Sequence, residues 1–238
     1  MLLMDKMASD YSKISAAKII LTVFYLLIFP VLILFLSGDW LWIEGWVFGI
    51  WFMFLCITCI LYLYQHDPAL LAERYKHKAD NQAGWDRYFV FGVQILFLSW
   101  IILMPLDAKQ FGWTTNFPVL IEIIGGIMLL FSSFFFFRSY MDNSFLSPLV
   151  RVQMERQHQV VSTGVYGFVR HPMYLAWVLL FFGTPMLLGS VYGILFGVLF
   201  SMVIMGRILG EEKLLAKELE GYSEYKKKVR YRLIPFVW

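Results

Sequence analysis

The chain has 238 residues, 60% of them hydrophobic and only 16% charged, with a formal net charge of +3. Soluble domains are roughly half apolar and about a quarter charged, so this composition excludes an ordinary water-soluble globule and makes lipid the solvent for most of the chain. The small excess of positive charge gives no reason to expect a nucleic-acid partner.

Apolar runs near the ~20 residues needed to cross a bilayer fall at residues 17–36, 41–64, 88–106, 117–137, 173–188 and 192–209. The expected fold is therefore an all-α integral membrane protein of about six transmembrane helices. The first run is too long for the apolar part of a cleavable signal and lacks a small-residue cleavage site, so it is expected to remain as a helix. Cys56 and Cys59 lie one helical turn apart inside the second run and read as packing residues. Residues 65–87, which carry charges of both signs, read as an interfacial connector, with Arg74, Asp86 and Arg87 as candidate substrate-binding residues.

The fifth and sixth runs are the shortest and are joined by Gly189 and Ser190, which predicts a tight helical hairpin. The last run is expected to continue into a cytoplasmic helix. Placing the N-terminus inside leaves Lys109 as the only one of the 20 Lys and Arg residues on the outer side. Basic residues concentrate on the cytoplasmic side, so a multi-pass protein with both termini cytoplasmic is expected. Asp39, Glu44, Asp107 and Glu122 then fall at the outer margin and carry no assigned role. A transporter would place polar residues along mid-membrane, and the runs show little of this. His66, His77, His158 and His171 have no ligand-like spacing with each other or with the cysteines, so no metal is expected.

Chemistry-bearing residues gather in two inner segments. Gly164 and Gly167 allow a turn with close backbone approach, and Pro172 suits the first turn of the following helix. Tyr174 stands one turn beyond His171, so Arg170, His171 and Tyr174 converge where a loop enters the membrane. Glu211 and Glu212 follow the last run, where adjacent carboxylates call for a cationic partner.

Arg170-His171-Pro172-x-Tyr174, followed by Glu211-Glu212 and then Tyr222-x-x-Tyr225, resembles the C-terminal signature of the isoprenylcysteine carboxyl methyltransferase family and its prokaryotic relatives. His158-Gln159-Val160-Val161 and Gly164-x-Tyr166 also match. The resemblance covers roughly residues 140–238 and divides the chain into an N-terminal four-helix transmembrane region, 1–138, and a C-terminal methyltransferase-like region, 139–238, with a helical hairpin and cytoplasmic tail, which it implies is a C-terminal cytoplasmic cofactor-binding region.

The resemblance implies S-adenosylmethionine as cofactor, bound by His158, Val160, Val161, Gly164, Tyr166, Arg170, His171, Tyr174, Glu211 and Glu212, with Arg170 and Glu212 as catalytic residues. Charge complementarity assigns Arg170 and His171 to its carboxylate, and Glu211 or Glu212 to its ammonium or ribose hydroxyls. The implied reaction is methyl transfer to a lipophilic or lipidated acceptor entering from the bilayer, foremost the carboxylate of an isoprenylcysteine thioether. The alternatives are methylation of a phospholipid amine or a small thiol, and NADPH-dependent reduction as in membrane sterol reductases. The reductases usually carry Arg-His-Pro-Asn-Tyr followed by Gly-Asp, from which Met173 and Leu175-Ala176 depart.

Overall fold

The computed structural model describes residues 14–76 and 78–238; Lys6, Lys13 and His77, which entered the sequence reading, lie outside the described residues. All regular elements among the described residues are helical: α1 (Ala16–Ser37), α2 (Ile43–His66), α3 (Pro68–Arg74), α4 (Gly84–Pro105), α5 (Val119–Asp142), α6 (Pro172–Leu187), α7 (Val191–Glu218) and α8 (Tyr222–Lys228). A π-helical turn, Leu106–Gln110, prolongs α4.

Five of these helices, α1, α2, α4 with its extension, α5 and α7, are long and apolar enough to cross a membrane, and the protein is an integral membrane protein. The sixth expected span is the 16-residue α6. At 1.5 Å per residue its axis is about 24 Å long, shorter than the ~30 Å hydrocarbon core. Of the six expected spans, five are thus long enough to cross a membrane by themselves, and the shorter α6 still runs from the braced Arg170-His171 end of the bundle to the Asp107 end. The last run does extend beyond residue 209: α7 continues without a break through Glu211 and Glu212 to Glu218.

Large side chains such as Phe24, Ile50, Phe54, Leu120 and Leu130 are exposed, as suits helices surrounded by lipid. Because lipid tails are as apolar as Leu, association inside a bilayer relies on close packing at small residues. The α5–α6 contact shows this. A Cβ on Gly125 would lie 2.7 Å from the Gly183 carbonyl oxygen, and a Cβ on Gly183 would lie 2.9 Å from that of Gly125. Ser132 Oγ on α5 adds a 2.8 Å hydrogen bond to the Ala176 carbonyl of α6. Cys59 joins the apolar core cluster.

The two ends of the bundle are fastened differently. At one end, fully buried Asp107 accepts from Ser190 Oγ at 2.6 Å and from the backbone N and Oγ1 of Thr114 at 2.9 Å. Ser190 also caps α7 by accepting from Gly193 N. This welds the end of α4 to the α6–α7 hairpin. At the other end, the connector braces residues 147–153. Ala83 N donates to Val150 O at 3.0 Å, Asn81 Nδ2 donates to Val152 O at 2.7 Å, and Arg151 pairs with Glu73 at 2.8 Å with both side chains buried. Burial alone would raise the Glu73 carboxyl, but hydrogen bonds from Arg151, Lys76 and Ser147 outweigh it and hold it at about 2.

Candidate active site

A cavity of about 350 Å³ opens at the braced end, between the loops of residues 143–171 and helices α4, α6, α7 and α8. Its polar portion is lined by His158, Val160, Val161, Tyr166, Arg170, His171, Tyr174, Glu211, Tyr222 and Tyr225, and its apolar portion by Phe89, Val93, Phe97, Trp177, Phe181, Phe200 and Ile204. One space therefore joins two chemical environments.

Local structure explains how the loop residues reach it. Gly164 adopts φ +57°, and a Cβ there would collide with the Asp142 carboxylate. That carboxylate accepts from Val165 N at 2.9 Å, so glycine allows the chain to wrap closely around the end of α5. Gly164 itself does not line the cavity; it sets the 3₁₀ turn Gly164–Gly167 that presents Tyr166. Tyr166 in turn accepts a 2.8 Å hydrogen bond at its carbonyl from Tyr225 Oη, which ties the loop to α8. Burial pushes the phenols of Tyr166, Tyr222 and Tyr225 above their ordinary range, so they serve as neutral hydrogen-bonding groups. Tyr166 Oη is buried without a hydrogen-bond partner among the described residues.

His158 stacks on Phe145, with ring centroids 4.7 Å apart and planes at 23°. Burial first, then Arg156 and Arg151, lowers its imidazole to about 4, so it is neutral at physiological pH. Val160 packs against the cluster of Val152, Leu219, Tyr222, Tyr225 and Val229.

The adjacent acids Glu211 and Glu212 face different surroundings. Glu212, 2% exposed, accepts from Arg170 Nε at 2.7 Å and Arg232 Nε at 3.1 Å, and lies 3.3 Å from His171 Nε2 and 3.6 Å from Lys226 Nζ. Arg170 also donates from Nη1 to the carbonyls of Val229 and Arg230, each at 2.7 Å. The backbone N–H groups of Arg170 and His171 donate to Tyr231 O and Arg232 O. Glu212 is thus the centre of a clasp holding the C-terminal segment to the Arg170-His171 entry of α6, and it does not line the cavity. Glu211 lines the cavity and accepts from Tyr174 Oη at 2.6 Å. It makes no ion pair among the described residues, which leaves one carboxylate oxygen for a cationic or hydroxyl-bearing guest.

Of the three candidate acceptor contacts, Arg74 lines the cavity, with its guanidinium 5.6 Å from the Tyr140 ring centroid. Asp86 is fully buried behind the wall. It accepts from Gln82 Nε2 and Val150 N, both at 2.9 Å, and lies 3.0 Å from Arg207 Nη2. Arg87 is exposed and does not line the cavity. The charge pattern could not separate the three, because Asp86 and Arg87 differ by which face of the α4 N-terminus meets the loop, and Arg74 by how the end of α3 packs beside it.

Arg207, Arg151, Asn143, Tyr222 and Tyr225 line the cavity as well, although they were not among the expected site residues. Arg207 had a signal: it is an ionisable residue inside an apolar helix, one turn before Glu211. It sits between the polar and apolar portions, donating from Nη2 to Pro148 O at 2.7 Å with its guanidinium carbon 4.8 Å from the Phe89 ring centroid. Its Nε is buried without a hydrogen-bond partner among the described residues. Among the described residues, no three His, Cys, Asp or Glu side chains form a group able to hold a metal ion.

A helical membrane protein with an enclosed polar-to-apolar site is the class that fold and cavity define. The family model described as the isoprenylcysteine carboxyl methyltransferase (ICMT) family matches residues 141–217. Similar curated proteins include a protein-S-isoprenylcysteine O-methyltransferase of Schizosaccharomyces pombe, 26% identical over 81% of this chain and 86% of that protein. Protein-S-isoprenylcysteine O-methyltransferase A of Arabidopsis thaliana is 32% identical over 59% of this chain and 68% of its own length. A methanethiol S-methyltransferase of Crocosphaera subtropica is 38% identical over 30% of this chain and 28% of its own length. The chain belongs to the isoprenylcysteine carboxyl methyltransferase family of membrane methyltransferases.

Proposed function

We propose that this protein methylates the carboxylate of an isoprenylcysteine-like thioether with S-adenosylmethionine as donor. The observation that carries this reading is the single cavity running from Glu211 and the buried tyrosines to a chamber of aromatic and aliphatic side chains. A hydrophilic cofactor and a lipophilic acceptor need these two surroundings side by side.

The residues present fit such a cofactor. Glu211 has a free carboxylate oxygen for its ammonium or ribose hydroxyls, and the neutral His158 ring with Val160 and Val161 offers a flat, partly apolar wall for adenine. Arg170 stays fastened to Glu212 and the tail, so its part is to shape the site and present positive potential toward the cofactor carboxylate. Glu212 acts through Arg170 and is a positioning residue. When bound, S-adenosylmethionine supplies an electrophilic methyl, which passes to a carboxylate oxygen as the C–S bond breaks and the C–O bond forms, with no proton to remove.

No general base is needed for that reaction, so the chain's contribution is alignment and exclusion of water. Arg207, at the junction of the two portions, is suited to hold the acceptor carboxylate through its unpartnered Nε, and Arg74 adds positive charge to the same space. The apolar walls favour a lipophilic acceptor over a small thiol. Both termini and the 139–238 cofactor region are assigned to the cytoplasm by the distribution of Lys and Arg.

The deciding experiment is calorimetric binding of S-adenosylmethionine and of NADPH to detergent-purified protein, followed by methyl transfer to S-prenylcysteine, methanethiol and phosphatidylethanolamine. The reading requires S-adenosylmethionine binding that Glu211→Ala weakens, and turnover with the prenylated acid. Turnover with the thiol or the amine alone would sink the carboxylate assignment, and binding of NADPH alone would sink methyl transfer.

A further inference from the structure

The clasp at Glu212 has a second face. There α7, α8 and the 229–238 segment frame an open pocket that shares no lining residue with the active-site cavity. Lys213 and Lys217 of α7, Lys226 of α8 and Arg232 line it, and Glu212 is its only acid among the described residues. That carboxylate is already engaged by Arg170, Arg232 and Lys226. Lys213 and Lys217 are exposed and make no ion pair among the described residues. Arg170, Arg232, Lys226, Lys213 and Lys217 thus set five cations around one carboxylate.

The pocket lies where lipid gives way to water. Met202, Met205 and Leu209 form an exposed apolar stripe on α7, and Lys213, Ala216 and Lys217 continue it at the same helical spacing. About 30 Å of axis counted from Val191 ends near residue 211, so Lys213 and Lys217 stand at headgroup depth. Beyond Arg232, the side chains of Ile234, Phe236 and Val237 form an exposed apolar tip, with Phe236 89% and Val237 75% exposed. Phe236 adopts φ +65°, a conformation that is costly for a bulky residue. The turn is held by the backbone N–H groups of Arg232 and Leu233, which donate to the Trp238 carbonyl at 2.8 and 3.1 Å. The fold therefore holds a phenyl ring out of the protein beside a basic pocket, a pairing of apolar and cationic groups suited to a bilayer surface.

We propose that this pocket binds the phosphate headgroup of an anionic phospholipid of the surrounding bilayer, with Phe236 and Val237 inserted beside it among the acyl chains. Arg232 offers planar donors and the three lysines offer point charges to the phosphate oxygens. A free phosphate would satisfy the cations and leave the apolar tip unused, so the occupant is a lipid. Because Arg232 and Lys226 also reach Glu212, a bound phosphate offsets the mutual repulsion of the clasp cations. It thereby stabilises the arrangement that holds Arg170 at the cavity. The site goes beyond the methyl-transfer reading and does not depend on which acceptor is methylated.

The test is thermal unfolding of the full-length protein in detergent micelles carrying dioleoylphosphatidylglycerol or dioleoylphosphatidylcholine at equal mole fraction. Phosphatidylglycerol is expected to raise Tm by about 5 °C near saturation, because it binds the folded state, and phosphatidylcholine to raise it far less. Lys213→Gln/Lys217→Gln, at two exposed positions, should move the phosphatidylglycerol titration to roughly 30-fold higher lipid, given the usual contribution of each lysine near an anionic surface. Phe236→Ser should move it in the same direction, and Lys227→Gln/Lys228→Gln, outside the pocket, far less. Equal Tm gains with the two lipids would overturn the proposal, as would an unmoved titration in the Lys213→Gln/Lys217→Gln or the Phe236→Ser variant. A shift in Lys227→Gln/Lys228→Gln as large as in the pocket variant would overturn it by assigning the effect to diffuse surface charge. The same Tm gain from inorganic phosphate at the same concentration would overturn it by making the occupant a free anion.

Discussion

The polar and apolar ends of the cavity are built on opposite principles. The polar end is a set of loops and helix termini joined by charges that lie far apart in sequence, as in the Glu73–Arg151 pair and the Glu212 clasp. The apolar end is a meeting of three helices in which aromatic rings fill the space and hydrogen bonds are few. Removing one partner from a buried charge cluster strands the others, whereas removing a ring leaves a void that lipid or substrate can fill. The polar end should therefore fail as a unit, and the apolar end should adapt.

The sharpest way to break this comparison is at the clasp. Glu212→Ala leaves Arg170 and Arg232 without their shared carboxylate, and loss of one partner of a buried pair costs about 3–5 kcal/mol. For a chain of this size each kcal/mol lowers Tm by about 2–4 °C, so thermal unfolding in detergent should show a fall of roughly 10 °C, with cofactor binding lost alongside. An unchanged Tm would mean that the clasp is not what holds the C-terminal segment.

Glu211→Ala should separate binding from stability. Hydrogen bonds to charged groups contribute about 1.5–3 kcal/mol, so the S-adenosylmethionine Kd is expected to rise by roughly 10- to 100-fold while Tm moves little. Comparable effects of the two substitutions on both quantities would erase the distinction between the neighbouring acids.

Gly164→Ala tests the wrapping of the loop around α5. A non-glycine residue at positive φ costs about 1–2 kcal/mol, and the approach to Asp142 adds to it. Reduced Tm and weakened cofactor binding are expected, since the same turn presents Tyr166. Retention of both would show that the loop can be reseated.

The smallest effect concerns pH. The His158 imidazole is lowered in the folded protein to about 4 from an ordinary 6.5. A depressed folded value contributes stability above 6.5 that is lost as pH falls toward about 4. Between pH 7.5 and 5 the loss should be about 2 kcal/mol, and a His158→Asn variant should lack that component in Tm measured across the same interval. An identical pH profile in the variant would assign the acid sensitivity to other groups.

The resemblance carried by residues 140–238 led to the polar end of the cavity, and the structure brings His158, Val160, Val161, Tyr166, Arg170, His171, Tyr174 and Glu211 to one cavity. That a motif should locate these positions is understandable, because cofactor chemistry constrains residue type and local spacing together. The same motif could not distinguish Glu211 from Glu212. Successive positions on a helix point about 100° apart, and only the packed C-terminal segment determines which one meets Arg170 and Arg232. Asp86 and Arg87 illustrate the same limit at the start of α4.

The sequence by itself determined the membrane setting, the helical class and the family motif, since composition, apolar run length and short-range spacing are local properties. Only the tertiary structure decided that α6 is shorter than the other spans, that Glu212 is a clasp, that Arg207 stands at the junction of two environments, and that Phe181 and Phe200 close the apolar chamber. Those features depend on which faces of separate helices meet, and lipid-facing and core-facing aromatic residues are indistinguishable until the helices are packed.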